Sequence, residues 1–142
     1  MQDKFSMTIL VEPVAKGRPQ VTMVKGKPLV YTPDKTRKAE AEIRTAIAQK
    51  ILGELSRLMF EPYIPIAIEA TFFLLRPKAK PKRFTMPTTK PDYDNLAKML
   101  TDALEKFCFY SDSQITTAII KKRYGMPARI ELTLGIDSLE GG

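Results

Sequence analysis

Histidine is absent from this 142-residue chain. That removes Ser-His and Cys-His catalytic arrangements, HNH-type nuclease centres and imidazole-ligated zinc. Any hydrolysis has to run on carboxylates, lysines or an oxygen-ligated metal. A lone cysteine, Cys108, excludes an intrachain disulfide and a thiolate zinc cluster. Tryptophan is missing too, which weakens any reading as a base-stacking platform. No stretch approaches the ~18 apolar residues that suggest a membrane span, and the apolar run in "MQDKFSMTILVEP" is too short for a signal peptide. The expectation is a soluble, cytoplasmic protein.

What is present is positive charge. Lys and Arg number 23 against 16 Asp and Glu, a net charge of +7, and the isoelectric point is about 9.5. Such an excess points to a polyanionic partner, nucleic acid first. A chain of this length is expected to make one domain, residues 1–142, and to remove roughly 70% of its unfolded surface from water without a staple.

"FSMTILV" (5–11) reads as a first strand, and Gly17, Gly26 and several prolines break regular structure in the segment after it. Thr32-Pro33-Asp34 is a helix start, with a hydroxyl N-cap, proline at the first helical position and an acid at the positive end. The helix continues into the fifties on a stripe of Ile43, Ala46, Ile47, Ile51 and Leu55. "IPIAIEATFFLL" (64–75) alternates and then turns apolar on both faces, as a central strand does. Residues 76–91 hold six cations, four prolines and no acid, a loop expected to stay out of the core and sample extended conformations. Leu96, Met99, Leu100, Ala103, Leu104 and Phe107 then mark an amphipathic helix. Segments 115–124 and 128–136 read as a closing hairpin. The sum is an α+β fold, one mixed sheet with two principal helices packed against it.

The chemistry concentrates at Asp92, Asp94, Lys98 and Asp112. Pro91 favours an extended approach, in which residues two apart point the same way and Asp92 and Asp94 converge. Lys98 is four residues beyond Asp94 on the helix. Asp112 follows a short return from that helix and is expected near the level of its start. Three carboxylates suit a hard cation such as Mg²⁺, which bridges carboxylate and phosphate, polarises the phosphoryl oxygen and activates water in place of a histidine base. Blander roles exist for each residue. Asp94 and Asp92 serve equally as a helix cap and a dipole-complementing acid, Lys98 as an ion-pair partner of Asp102, and Asp112-Ser113 as a turn.

The stretch "KPDYDNLAKMLTDAL" (90–104) followed by "YSDSQI" (110–115), with "PVAKGRP" (13–19) and "ARIELTL" (128–134), resembles the RusA family of Holliday junction resolvases, small endonucleases of bacteria and prophages. The resemblance spans nearly the whole chain. It implies that Asp92, Asp94 and Asp112 are metal-binding catalytic acids and that Lys98 stabilises charge on the cleaved phosphate. It also implies a homodimer that binds four-way junction DNA, needs Mg²⁺ or Mn²⁺, and makes paired symmetric cuts in DNA recombination and repair. Relatives often carry a further acid where this chain has Ser111, which bears on metal stoichiometry. The expected DNA-binding cations are Lys16, Arg18, Lys78, Lys80, Lys82 and Arg83; of Lys121, Lys122 and Arg123, neighbours on one strand, only part can face DNA.

The D-x-D pairs of aspartyl-nucleophile phosphotransferases and glycosyltransferases follow buried apolar strands, unlike the "RFTMPTTKP" that precedes Asp92 here. A PD-(D/E)xK nuclease lacks its D/E-x-K tripeptide. A non-catalytic junction- or single-strand-binding protein would have no reason to keep carboxylates beside its phosphate-binding surface.

Overall fold

The computed structural model describes residues 4–15, 17, 20–31, 33–54, 60–79 and 81–138. Strand β1 is Lys4–Ile9, followed by β2 (Gln20–Val24), β3 (Lys27–Tyr31), helix α1 (Asp34–Glu54), β4 (Ile66–Leu74) and α2 (Tyr93–Leu104). A short 3-10 turn, Asp112–Gln114, leads into β5 (Ile115–Tyr124) and β6 (Arg129–Ile136). The main sheet has the order β1-β6-β4-β5. Its β1–β6 and β6–β4 pairs are antiparallel and its β4–β5 pair is parallel. The α+β architecture expected from the pattern is the one found.

Strand β4 occupies the centre because both its faces tolerate cover. Ile66, Ile68, Ala70 and Phe72 are buried toward the helices, while Phe73 on the opposite face carries the Arg129 guanidinium 3.8 Å from its ring centroid. The helices bury Ile43 and Ile47 from α1 and Leu96, Met99, Leu100, Ala103 and Leu104 from α2 against that sheet face. Arg44 of α1 donates through Nε to Ala103 C=O (3.0 Å) and through Nη2 to Asp102 C=O (3.3 Å). The two helices are thereby joined at the negative end of α2. Cys108 is part of this core, and burial pushes its thiol up to about 12, so it is no nucleophile.

Parallel neighbours cannot be joined by a tight turn, so β4, α2 and β5 form a crossover unit. Helix α2 runs back across the sheet: its first residues lie near the carboxyl ends of β4 and β5, its last near their amino ends. This topology fixes where each candidate site residue lies.

Two expectations are corrected. Strands β5 and β6 do not form a hairpin, because β4 lies between them. Their connection passes over the end of β4, where Gly125 N–H donates to Leu74 C=O (3.0 Å). A Cβ at Gly125 would stand 2.6 Å from Phe73 Cδ1, so the crossing needs a glycine. The second concerns residues 20–31, which form a two-stranded ribbon, β2–β3. Its Lys25-Gly26 turn has φ of 52° and 77°, the paired positive values of a type I′ hairpin. Val21-Thr22-Met23-Val24 and Leu29-Val30-Tyr31 flanking Lys-Gly were the available signal. The proposed N-cap Thr32 lies outside the described residues, as does Leu55.

Candidate metal and DNA site

Helix α2 begins at Tyr93, with Asp92 as its N-cap at φ −72°, ψ 147°. Asp94 therefore sits in the first helical turn, not in an extended segment, and the alternation argument for its convergence with Asp92 fails. The two are nonetheless adjacent at the amino end of α2, as its N-cap and second helical residue. Asp92 makes no side-chain capping bond, and Asp94 Oδ1 accepts from the Asn95 N–H at 2.9 Å. Both are exposed, and the positive end of the helix dipole accommodates two negative charges there.

The pair lines an open cleft with Thr88, Thr89, Lys90, Tyr93 and Lys122. Lys122 Nζ donates to Thr89 C=O (2.8 Å), fastening the end of the basic loop to β5. Sequence reasoning left Lys122 undifferentiated among three neighbouring cations. Its placement follows from register, since Lys122 lies opposite Phe72 near the carboxyl end of the sheet. Lys98 is on the exposed side of α2 with its Nζ 3.3 Å from Asp102 Oδ1, the ion pair that its spacing allowed. With the Lys98 ammonium exposed and Asp102 half-buried, the pair contributes on the order of 1 kcal/mol.

Asp112 is carried elsewhere. Its N–H donates to Glu105 Oε2 (3.0 Å), and Glu105 is the C-cap of α2. Asp112 thus lies at the end of the helix opposite to Asp92 and Asp94, and the expected return to the starting level does not occur. The crossover requires this, because α2 must traverse the sheet before β5 can begin parallel to β4. Among the described residues no group of three or more His, Cys, Asp or Glu stands close enough to hold a metal ion.

The residues around Asp112 have structural duties that the D-x-Q pattern conceals. Gln114 is buried; its Oε1 accepts from the N–H groups of Tyr110 (2.9 Å) and Ser111 (3.0 Å). Its Nε2 donates to Glu61 C=O (2.9 Å) and Ile64 C=O (3.1 Å). Ser111 accepts the Ser113 N–H at 3.2 Å. Ser111 to Gln114 is a capping box, legible as S-x-x-Q. The result presents Asp112 outward on a rigid support.

Within the basic loop, Lys78, Lys82 and Arg83 are exposed, and the Arg83 guanidinium lies 5.0 Å from the Phe84 ring centroid. Arg76 is used structurally. Its guanidinium donates to Pro81 C=O and lies over Tyr124, 5.3 Å from the centroid. With Pro87 buried, the loop is fastened rather than freely extended. Lys16, Arg18 and Lys80 lie outside the described residues. No helix among the described residues is long and apolar enough to cross a membrane.

Comparison with known proteins adds the family context. Residues 11–135 match the family described as endodeoxyribonuclease RusA. The protein YqaN of Bacillus subtilis (strain 168) is 28% identical over 137 residues, covering 93% of this chain and 96% of that protein. A Lactococcus phage r1t protein described as crossover junction endodeoxyribonuclease rusA is 28% identical over 135 residues, covering 94% and 98% of the two chains.

Proposed function

This chain belongs to the RusA family of endodeoxyribonucleases, and on that premise we propose that it is a Mg²⁺-dependent enzyme that resolves four-way (Holliday) DNA junctions by paired strand cleavage, acting as a homodimer. The observation that carries the reading is an exposed carboxylate pair, Asp92 and Asp94, spared from helix capping at Asp92 and set in a cleft that also holds Lys90 and Lys122. A phosphodiester is attracted to such a cleft by its cations, and the acids stop repelling it once they hold a divalent ion.

The donor set fits the group. Asp92 and Asp94, which share the cleft, offer only oxygen, the ligand type that Mg²⁺ and Mn²⁺ prefer. When bound, such an ion supplies Lewis-acid stabilisation of phosphoryl charge and activation of water. Lys98, freed from Asp102, places an ammonium where negative charge grows on the cleaved phosphate. Lys90, Lys122, Lys78, Lys82 and Arg83 bind backbone phosphates without reading sequence.

The test is cleavage of a synthetic four-way junction by the purified protein with Mg²⁺, with and without chelator, beside a linear duplex of the same sequence. Paired, symmetric, chelator-sensitive nicks confined to the junction are expected. No metal-dependent cutting would leave a DNA-binding protein only, and equal cutting of the duplex would reduce the enzyme to a general nuclease.

A further inference from the structure

We infer that a base-reading pocket adjoins the cleft of Asp92 and Asp94. It takes a nucleobase of the cleaved strand turned out of its stack, and Glu12 selects the bases that present an amino group, cytosine and adenine, over those that present a keto oxygen in its place, thymine and guanine. This rests on the resolvase reading and adds to it a means of choosing where to cut.

The pocket is bounded by the segment after β1, the amino end of α1, the carboxyl end of β4 and the end of the basic loop, and its volume is about 420 Å³. Sites for small molecules run from roughly 300 to 1,000 Å³, so a single base fits. Thr89 and Lys90 line both this pocket and the cleft of Asp92 and Asp94. A phosphodiester held in the cleft therefore has its neighbouring base within reach of the pocket. The walls are Leu75, Pro77, Pro87 and Tyr124. Leu75, just past the end of β4, is 49% exposed, and the Tyr124 ring is braced by the Arg76 guanidinium 5.3 Å from its centroid. Stiff apolar and aromatic walls suit the faces of a flat heterocycle.

Two charges on the pocket set what it recognises. Glu12 lines it and is exposed, and among the described residues no ion pair engages its carboxylate. It does not line the cleft of Asp92 and Asp94, so a metal held there does not neutralise it. A bare carboxylate beside a phosphate-binding cleft weakens DNA binding unless the DNA offers it a donor, and a base amino group is such a donor. Lys35, also on the pocket, stands in the first turn of α1, where the helix dipole disfavours a cation; helix stability does not account for it. Together the carboxylate accepts from the amino group of cytosine or adenine, and the ammonium donates to the ring nitrogen beside it. Thymine and guanine carry the reverse order, a keto oxygen beside a ring N–H, and meet like against like. Turning a base out costs least where stacking is already broken, as at a four-way branch, so the same pocket favours cutting at the branch over cutting in duplex.

The experiment offers the purified protein, with Mg²⁺, a set of four-way junctions that differ only in the nucleotides flanking the branch, changed symmetrically on two opposed strands. The wild type is expected to cut junctions offering cytosine or adenine roughly 5–100-fold faster than those offering only thymine or guanine, the discrimination of one well-placed base contact. In Glu12→Gln, whose amide donates as well as accepts, the rates should converge to within about 2-fold, with an unchanged melting temperature showing the fold intact. Equal wild-type rates across the set, or a preference that Glu12→Gln leaves in place, overturn the inference and leave the resolvase reading intact. A wild type that cuts no junction rejects the resolvase reading, and the pocket is then judged by fluorescence anisotropy with short single strands of deoxycytidine alone and of thymidine alone, in chelator. Tighter binding of the cytosine strand that is lost in Glu12→Gln sustains the pocket; equal binding, or a preference that survives the substitution, overturns it.

Discussion

Asp92 shows how a residue's local duty and its chemical availability diverge. It is the N-cap of α2 by backbone geometry, yet its carboxylate makes no capping bond, so its charge is available to a ligand. Asp92→Asn keeps the shape and removes the charge. The expected outcome is loss of Mg²⁺-dependent cleavage with junction binding unchanged or tighter, measured by gel shift, because one repulsion between carboxylate and phosphate is gone. Lys98 already has an internal partner in Asp102 at 3.3 Å. Lys98→Ala should lower the single-turnover cleavage rate by roughly 10²–10³-fold if the ammonium faces the developing charge, and leave thermal stability within about 1 kcal/mol because the exposed ion pair is worth little. An unaltered rate would return Lys98 to a purely structural role.

Among the elements, the connection from β5 to β6 is the most demanding, since it steps over the end of β4. Gly125→Ala would press its methyl into Phe73, whose other neighbour is Arg129. The expected loss is about 1–3 kcal/mol by chemical denaturation, the usual cost of overpacking. The opposite end of β4 is bridged by Asp137, whose carboxylate accepts from the hydroxyls of Thr116 (2.6 Å) and Thr117 (2.7 Å). These bonds hold the Asp137 carboxyl below its ordinary value. A carboxyl lowered in the folded state contributes stability above its unfolded pKa and loses it as pH falls through the lowered folded value. Asp137→Asn should therefore narrow the difference in stability between neutral and acidic pH, read from melting curves across that range. The β2–β3 ribbon differs from both, because every residue of its two strands is exposed. A lone two-stranded ribbon is marginal in water, and Gly26→Ala, at φ 77°, should speed amide exchange within it without moving the global melting temperature.

For the molecule as a whole, the resolvase reading makes the net charge of +7 and the exposed cations of the basic loop the groups that govern encounter with DNA. Binding should weaken steeply with salt, the slope of log affinity against log salt reporting the number of phosphates neutralised. Replacing Lys78, Lys82 and Arg83 together by Gln should flatten that slope while leaving the metal dependence of cleavage unchanged.

The elements could be read from the chain because they depend on local periodicity. The stripe from Leu96 to Leu104 and the alternation from Ile66 to Phe72 specify a helix and a strand wherever they are placed. That Asp92, Asp94 and Asp112 offer oxygen donors was legible by residue type, whereas the capping box from Ser111 to Gln114 was present as S-x-x-Q and passed over for a turn. Strand order was not, because pairing between Ile66–Leu74 and Arg129–Ile136 joins residues some sixty positions apart and no local pattern records it. That non-local choice put β4 between β5 and β6, made α2 a crossover, and carried Asp112 away from Asp92. Local sequence determined which groups can do chemistry, while the tertiary packing decided which of them share an end of the sheet.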